Sequence, residues 1–375
     1  MPTVHDILAA LDEWAPPGQK LDYDRVGLQV GDADAGVERI LVALDLTPAV
    51  VDEAVGAGAH LVVTHHPLLF RPLERLTPDT ATGYAALALA RAGVAYAAVH
   101  TNLDAAPDGV SVALAERLGL RDVRVLAPAE GRLRKVVVFV PGTHARELHT
   151  AMAGAGAGNV GDYTACAFES EGVGRFTPGP GTRPFIGEQG VEEAVAEVRL
   201  EVLVQLWDVP GVLAAMRSAH PYEEVAHDVY PVEQANARAG FGAVGELEAP
   251  EPLSAFLARV ARALGCEALR YAGDPAMPVR RAAVCGGAGA DLLPRARAAG
   301  ADAFVTADVT YHRFFDALTP TGAPALALVD AGHYETEAHT EELIADFLLR
   351  RFPEVDVRRT GVRTSPVRTW VRAAG

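Results

Sequence analysis

RILVALDLTPAVVDEAVGAGAHLVVTHHPLLF, residues 39–70, reads as strand, helix, strand. RILVAL (39–44) and HLVVTHH (60–66) are short apolar runs bounded by turn residues. Between them Thr47-Pro48 is a capping residue followed by proline at the first helical position. Downstream the pattern continues with an Ala-rich helical segment at 81–92 and a further strand, VAYAAVH (94–100). Strand and helix in alternation predict a parallel sheet covered by helices. Upstream, Thr3 caps a first helix. Near the other end the same rhythm returns, with strands RRAAVC (280–285), DAFVT (302–306) and ALALVD (325–330), each followed by a helix-like segment. The fold class is therefore α/β, in two halves.

Between the halves the character changes. KVVVFV (135–140) is a strand followed by helix-like HARELHTAMAGA, and VRLEVLVQL (198–206) is followed by helix-like VPGVLAAMRSA and the strand VAHDVYPV (225–232). A Gly/Pro-rich stretch covers roughly 154–190. The count fits a small ferredoxin-like α+β unit with a long excursion inside it. The expected division is 1–128 for the first half of the core, 129–245 for an insert and 246–375 for the second half.

The 375 residues carry 33 Lys+Arg against 49 Asp+Glu, a formal charge of −16. A field of this sign repels phosphate backbones and anionic lipid, which disfavours general nucleic-acid and membrane-surface binding. Lys20 and Lys135 are the only lysines and neither sits in a P-loop context, so a P-loop NTPase is excluded. Cys166, Cys266 and Cys285 are widely spaced and form no C-x-x-C pair, which argues for a reducing compartment and against a thiolate metal site. The first residues carry Asp6, Asp12 and Glu13 where a signal peptide needs a basic and then an apolar region, and no charge-free apolar run is long enough to span a membrane. The expected location is the cytoplasm.

The chemistry-bearing residues gather at strand ends. His65 and His66 close the strand at 60–66, His100 and Asp104 follow the strand at 94–100, and ALALVD runs into AGHYETE, where His333 and Glu337 are spaced i, i+4 on one helix face. Ligands of open α/β sheets sit beyond the carboxyl ends of strands. The plainer alternatives are a core and a surface histidine at 65–66, and a helix-capping role for Asp104. Imidazole and carboxylate without thiolate suit Zn, Fe, Mn, Co or Ni. Five ligands, His65, His66, Asp104, His333 and Glu337, exceed what one catalytic ion takes, so a dinuclear centre of two divalent ions is the better count. His100 is assigned outside the ligand set, as a supporting group or a catalytic proton shuttle.

These residues also carry a resemblance. TVHDILAALDEWAP (3–16), RVGLQVG (25–31), VTHHPLLF (63–70), AVHTNLDAA (98–106), FVTADVTYHRFFDA (304–317) and LVDAGHYETE (328–337) are similar, in order and spacing, to the NIF3-like (DUF34) family, whose bacterial members bear the label "GTP cyclohydrolase 1 type 2 homolog". The resemblance implies a two-lobed core with a dinuclear metal site on His65, His66, Asp104, His333 and Glu337, and a toroidal homohexamer. GAGAGNVGDYTACAF (154–168), GRFTPGPGTRPFIG (174–187) and AHPYEEVAHDVYP (219–231) resemble the inserted CutA/PII-like domain of longer members. Thr306-Ala307-Asp308 departs from the family's T-G-D, which weakens the case for Asp308 or His312 in the cleft.

Other signals carry less. GAGNVG (156–161) follows a helix-like segment, where a dinucleotide fingerprint needs a strand. CGGAGAD (285–291) does follow a strand, so Gly286, Gly287 and Gly289 are candidates to offer N–H groups to an anion, with a plain tight turn as the equal alternative. His220-Pro221-Tyr222-Glu223-Glu224 reads as a capped turn ahead of a regulatory surface. The leading functional expectation is a metal-dependent hydrolase acting on a small, nucleotide-like substrate, with Arg25, Arg71 or Arg313 meeting its phosphates. A metal-handling protein and a nucleotide-sensing regulator are the rivals.

Overall fold

The computed structural model describes residues 1–370. They form two compact units: Met1–Pro128 together with the chain from Arg238 onward, and Ala129–Ala237. In chain order the strands are β1 (Gly27–Val30), β2 (Arg39–Ala43), β3 (Leu61–Thr64), β4 (Ala95–Ala98), β5 (Arg121–Ala129), β6 (Leu133–Pro141), β7 (Ala167–Phe176), β8 (Glu193–Gln205), β9 (His227–Val232), β10 (Asn236–Pro252), β11 (Arg270–Ala272), β12 (Pro278–Val284), β13 (Ala303–Thr306), β14 (Ala327–Asp330) and β15 (Asp356–Arg359).

The first sheet has the order β1-β4-β3-β2-β15, with β4, β3, β2 and β15 mutually parallel and β1 antiparallel on β4. Both faces are covered, which is why its strands read as unbroken apolar runs. Ile40, Val42, Leu61 and Val63 face one core, with Ile7 and Leu11 of helix Val4–Trp14, while Leu41, Ala43, Val62 and Tyr96 face the other. Thr3 and Asp6 close that helix with a reciprocal capping box, and Thr47 caps helix Pro48–Gly56. The second sheet has the order β11-β14-β13-β12-β10-β5; its β12, β13 and β14 are parallel, and β10 and β11 join antiparallel. The α/β reading holds for both halves.

Register decides where side chains converge. Ala43, Thr64 and Ala98 lie in one row of the first sheet, and Thr306 lies opposite Asp330 in the second. The residues just after these rows emerge together at the strands' carboxyl ends.

The unit Ala129–Ala237 runs β6, helix Ala145–Gly154, β7, β8, helix Val209–Ala219, β9, with the antiparallel order β7-β8-β6-β9. Val136, Val138, Leu200 and Val202 pack under the two helices through Leu148, Met152, Val212 and Met216. The Gly/Pro-rich stretch is a correction to the sequence reading, since it holds β7, a ten-residue strand paired along its length with β8. Most of its side chains are exposed, so no apolar alternation marked it. No helix among the described residues is long and apolar enough to cross a membrane.

Candidate metal centre

The chain turns sharply after β3, and the hydroxyls of Thr64 and Tyr96, 2.7 Å apart, both bond the carbonyl of His66, at 2.6 and 3.0 Å. That clamp lets two adjacent histidines face the same space, with ring centroids 5.1 Å apart. Helix Thr101–Asp104 follows β4 and brings in His100 and Asp104. Gly332, at φ +89°, makes the left-handed step after β14 that starts helix His333–Glu337. All six sequence candidates, His65, His66, His100, Asp104, His333 and Glu337, arrive at one place.

Three groups of them have ligand atoms within 4.8 Å of one another: His65, His66 and His100; His66, His333 and Glu337; His65, Asp104 and Glu337. His65, His66 and Glu337 each belong to two groups. His65 Nε2 is 3.6 Å from Asp104 Oδ1 and 3.9 Å from Glu337 Oε1, and Glu337 Oε2 is 3.0 Å from Nε2 of both His66 and His333.

The outward-facing nitrogens reveal the purpose of the arrangement. Each imidazole places Nδ1 on an acceptor: His65 on the Val99 carbonyl at 2.9 Å, His66 on Asp45 Oδ1 at 2.7 Å, His100 on Asp24 Oδ1 at 2.8 Å and His333 on Asp308 Oδ2 at 2.7 Å. With Nδ1–H donated outward, the Nε2 lone pairs point inward, the tautomer a metal ligand needs. Inside, His65 Nε2 is buried without a hydrogen-bond partner, Glu337 Oε2 has only the two imidazole Nε2 atoms beside it, and the Nε2 atoms of His66 and His333 face each other at 3.3 Å. Bare lone pairs so close repel unless a cation or a proton lies between them, so the donor set fits a divalent metal.

Without such a cation, protons compete for the same lone pairs. Burial works against charge on His66, but its contacts with Asp45 and Glu337 push it up to about 10. Glu337, helped by Asp308, pushes His333 up to about 9. Burial drives His65 down to about 4. Burial, with the Glu337 charge, raises the Asp104 carboxyl well above its usual range. Burial would raise Glu337 too, but His333, His65 and His66 outweigh it and hold that carboxyl well below.

The acceptors Asp24, Asp45 and Asp308 lie outside the residues that the sequence pattern assigns to the centre. Asp45 follows β2 and was open to the same strand-end rule; Asp24 lies in a loop with no local signal. Ala307 in place of glycine argues against Asp308 in the cleft, yet Asp308 itself takes the left-handed step at φ +53° and holds His333. His312 belongs to none of the three groups and packs on Tyr311. Of the two readings of the glycine turn, the plain tight turn holds. The N–H groups of Gly286, Gly287 and Gly289 go to Ser111, Thr336 and Thr306 and are spent internally, so they present no anion site. Glycine at 287 makes room, since a Cβ there would fall 2.2 Å from Glu337 Oε1. Burial pushes the Cys285 thiol up to about 12, in keeping with a centre free of thiolate.

Comparison with known proteins bears on this geometry. A family model described as Duf34/NIF3 (NGG1p interacting factor 3) matches residues 2–366. A Mycobacterium bovis protein named "GTP cyclohydrolase 1 type 2 homolog" is 42% identical over 336 residues, covering 88% of this chain and 87% of the relative. One of the same name from Halalkalibacterium halodurans is 39% identical over 328 residues, 87% of each chain. The crystal structure of a Bacillus cereus protein related to NIF3 is similar at TM-score 0.85 and 36% identity, over 98% of this chain and 99% of that one.

Proposed function

The chain belongs to the Duf34/NIF3 family, and on that premise we propose that its centre holds two divalent ions and works as a metal-dependent hydrolase on a small, nucleotide-like substrate. One observation carries the reading: four imidazoles, each anchored at Nδ1, aim Nε2 into a space shared with two carboxylates. His65, His66, Asp104, His333 and Glu337 would hold the ions. Bound there, divalent ions supply Lewis acidity and lower the pKa of a coordinated water toward neutrality.

His100 is the proton carrier in this reading. Its Nδ1–H is fixed on Asp24, which is wholly buried and also accepts from the backbone N–H groups of Arg25 and Thr101 at 2.7 and 3.0 Å and from the Thr101 hydroxyl. Burial raises that carboxyl, but the bonds from His100 and Thr101 outweigh it and hold it far below the usual range, so it stays anionic. A fixed acceptor on Nδ1 holds the ring in place and leaves the Nε2 lone pair free to take a proton.

The name shared by the relatives supports a purine-like substrate, and so does the surface beside His100. Phe70 lies edge-on to the His100 ring at 6.3 Å and Tyr23 edge-on to Phe70 at 6.1 Å, both exposed. Such rings offer a base roughly 1–3 kcal/mol of stacking. Arg313 is engaged by Asp291 and Asp316, which leaves Arg25 and Arg71, next to these rings in sequence, for the phosphates. The unit at 129–237, a β-α-β-β-α-β arrangement, is taken as the CutA/PII-like insert, and the assembly as a homohexamer.

The test is elemental analysis of the purified protein together with turnover of GTP and a nucleotide panel. The reading requires bound metal, product formation, and loss of both in His65→Ala. Metal without turnover, handed on to an apo-acceptor, would replace it with the metal-handling reading.

A further inference from the structure

The insert contains a feature that the metal centre does not use. Loop 177–186 lies over the sheet face opposite the two helices and bounds, with it, a half-open cavity of about 590 Å³, within the range of small-ligand pockets. Glu197 of β8 lines it and is only 9% exposed. Its Oε1 accepts from the Tyr222 hydroxyl at 3.0 Å, and no cationic side chain pairs with it among the described residues. The two arginines of the lining are spent elsewhere, Arg175 on Glu192 at 3.5 Å and Arg199 on Glu201 at 2.9 Å. His220 gives no charge either, since its Nδ1 accepts from the Tyr222 N–H while Nε2–H donates to the Phe139 carbonyl.

Two glycines on β7 open this space. Gly172 pairs with Glu197 across the strands, and a Cβ at Gly172 would meet nothing within 4 Å; at Gly174 a Cβ would land 2.0 Å from Glu197 Oε2. Around the carboxylate stand aromatic rings: Tyr222 lies 5.8 Å from Phe176 and 6.3 Å from Phe185, centroid to centroid. A mostly buried carboxylate with one hydroxyl partner and no cationic neighbour leaves its second oxygen available to an incoming cation. Aromatic faces close by attract a cation and also accept an apolar body.

We propose that the insert binds a small organic cation, a protonated amine on an aromatic or branched apolar body, with Glu197 as its counter-ion and Tyr222, Phe176 and Phe185 as its walls. The site stands apart from the metal reading, since none of its residues is a metal candidate. An anionic ligand would meet Glu171, Glu223 and Glu224 in the same lining and is disfavoured.

Calorimetric titration of the full-length protein with tryptamine and phenethylamine, and with indole-3-acetate as the charge-reversed control, tests it. Saturable binding of an amine is expected, weakened about tenfold or more by Glu197→Gln, a loss of about 1.4 kcal/mol. Gly172→Leu points its side chain into open space, so it should abolish binding while leaving the melting temperature unchanged, which keeps the test valid if Glu197→Gln misfolds. Failure of both amines to bind, undiminished binding to folded Glu197→Gln or Gly172→Leu, or equal affinity for indole-3-acetate would each overturn the proposal.

Discussion

His100 Nδ1 lies 2.8 Å from Asp24 Oδ1, a carboxylate with no solvent exposure, joined across 76 residues of chain. The pair sets the tautomer of the one imidazole assigned to proton transfer. Asp24→Asn can offer its amide to Nδ1 and so favours the opposite tautomer. Activity is expected to fall by about 10–100-fold while bound metal is kept. Imidazole nitrogen shifts in NMR spectra read the tautomer directly, and an unchanged spectrum would remove the role given to Asp24.

Metal should stabilise the fold, because the donor atoms repel one another without it. At a free-metal concentration of about 100 times Kd the gain is about 2.7 kcal/mol. A chelator should therefore lower the melting temperature of the parent, and His65→Ala should show no chelator effect. A variant that still responds to the chelator would place the ions on other residues.

Gly287 has φ +59° and faces Glu337, so alanine is doubly disfavoured there. The left-handed conformation alone costs about 1–2 kcal/mol. Displacement of the Glu337 carboxylate should also empty the centre. Chemical denaturation and metal stoichiometry measured on Gly287→Ala check the two effects separately.

Glu341 accepts the backbone N–H of Leu44 at 2.9 Å, and burial pushes its carboxyl up to about 7 from a normal 4.5. A raised folded pKa favours the protonated acid, so its stabilising contribution is present in full below 4.5 and is lost as pH rises through 7. Glu341→Gln keeps the acceptor without the charge. After allowance for partial exposure, the variant should be about 1–2 kcal/mol more stable than the parent at pH 8 and no more stable near pH 4.5. Urea titrations at the two pH values give the sign, and a parent more stable at pH 8 would show that the charge is used.

How legible the centre was depended on whether a local rule reached each residue. His65, His66, His100, Asp104, His333 and Glu337 sit at strand ends or at i, i+4 on a helix, and such positions can be counted along a chain. Asp24 acts only through an imidazole 76 residues away, and its immediate neighbours give no hint of it; Asp308 stands just past a strand end in a T-x-D setting, but its hold on His333, 25 residues on, shows only in the fold. β7 escaped because exposed strands lack alternation, and the turn at 285–291 was ambiguous until Ser111, Thr306 and Thr336 were seen to take its N–H groups.

The sequence alone determined the two α/β halves and the strand ends where chemistry gathers, because strands buried on both faces must be apolar throughout and helices must be capped locally. It also determined the residue types, imidazole and carboxylate without thiolate. Only the tertiary structure decided that His66 and His333, 267 residues apart, meet at 3.3 Å, and which nitrogen of each ring faces inward. The physical reason is that sheet register and the Nδ1 acceptors are contacts between distant segments. A linear pattern carries the propensity to form each segment, whereas the place where two segments meet belongs to the packed whole.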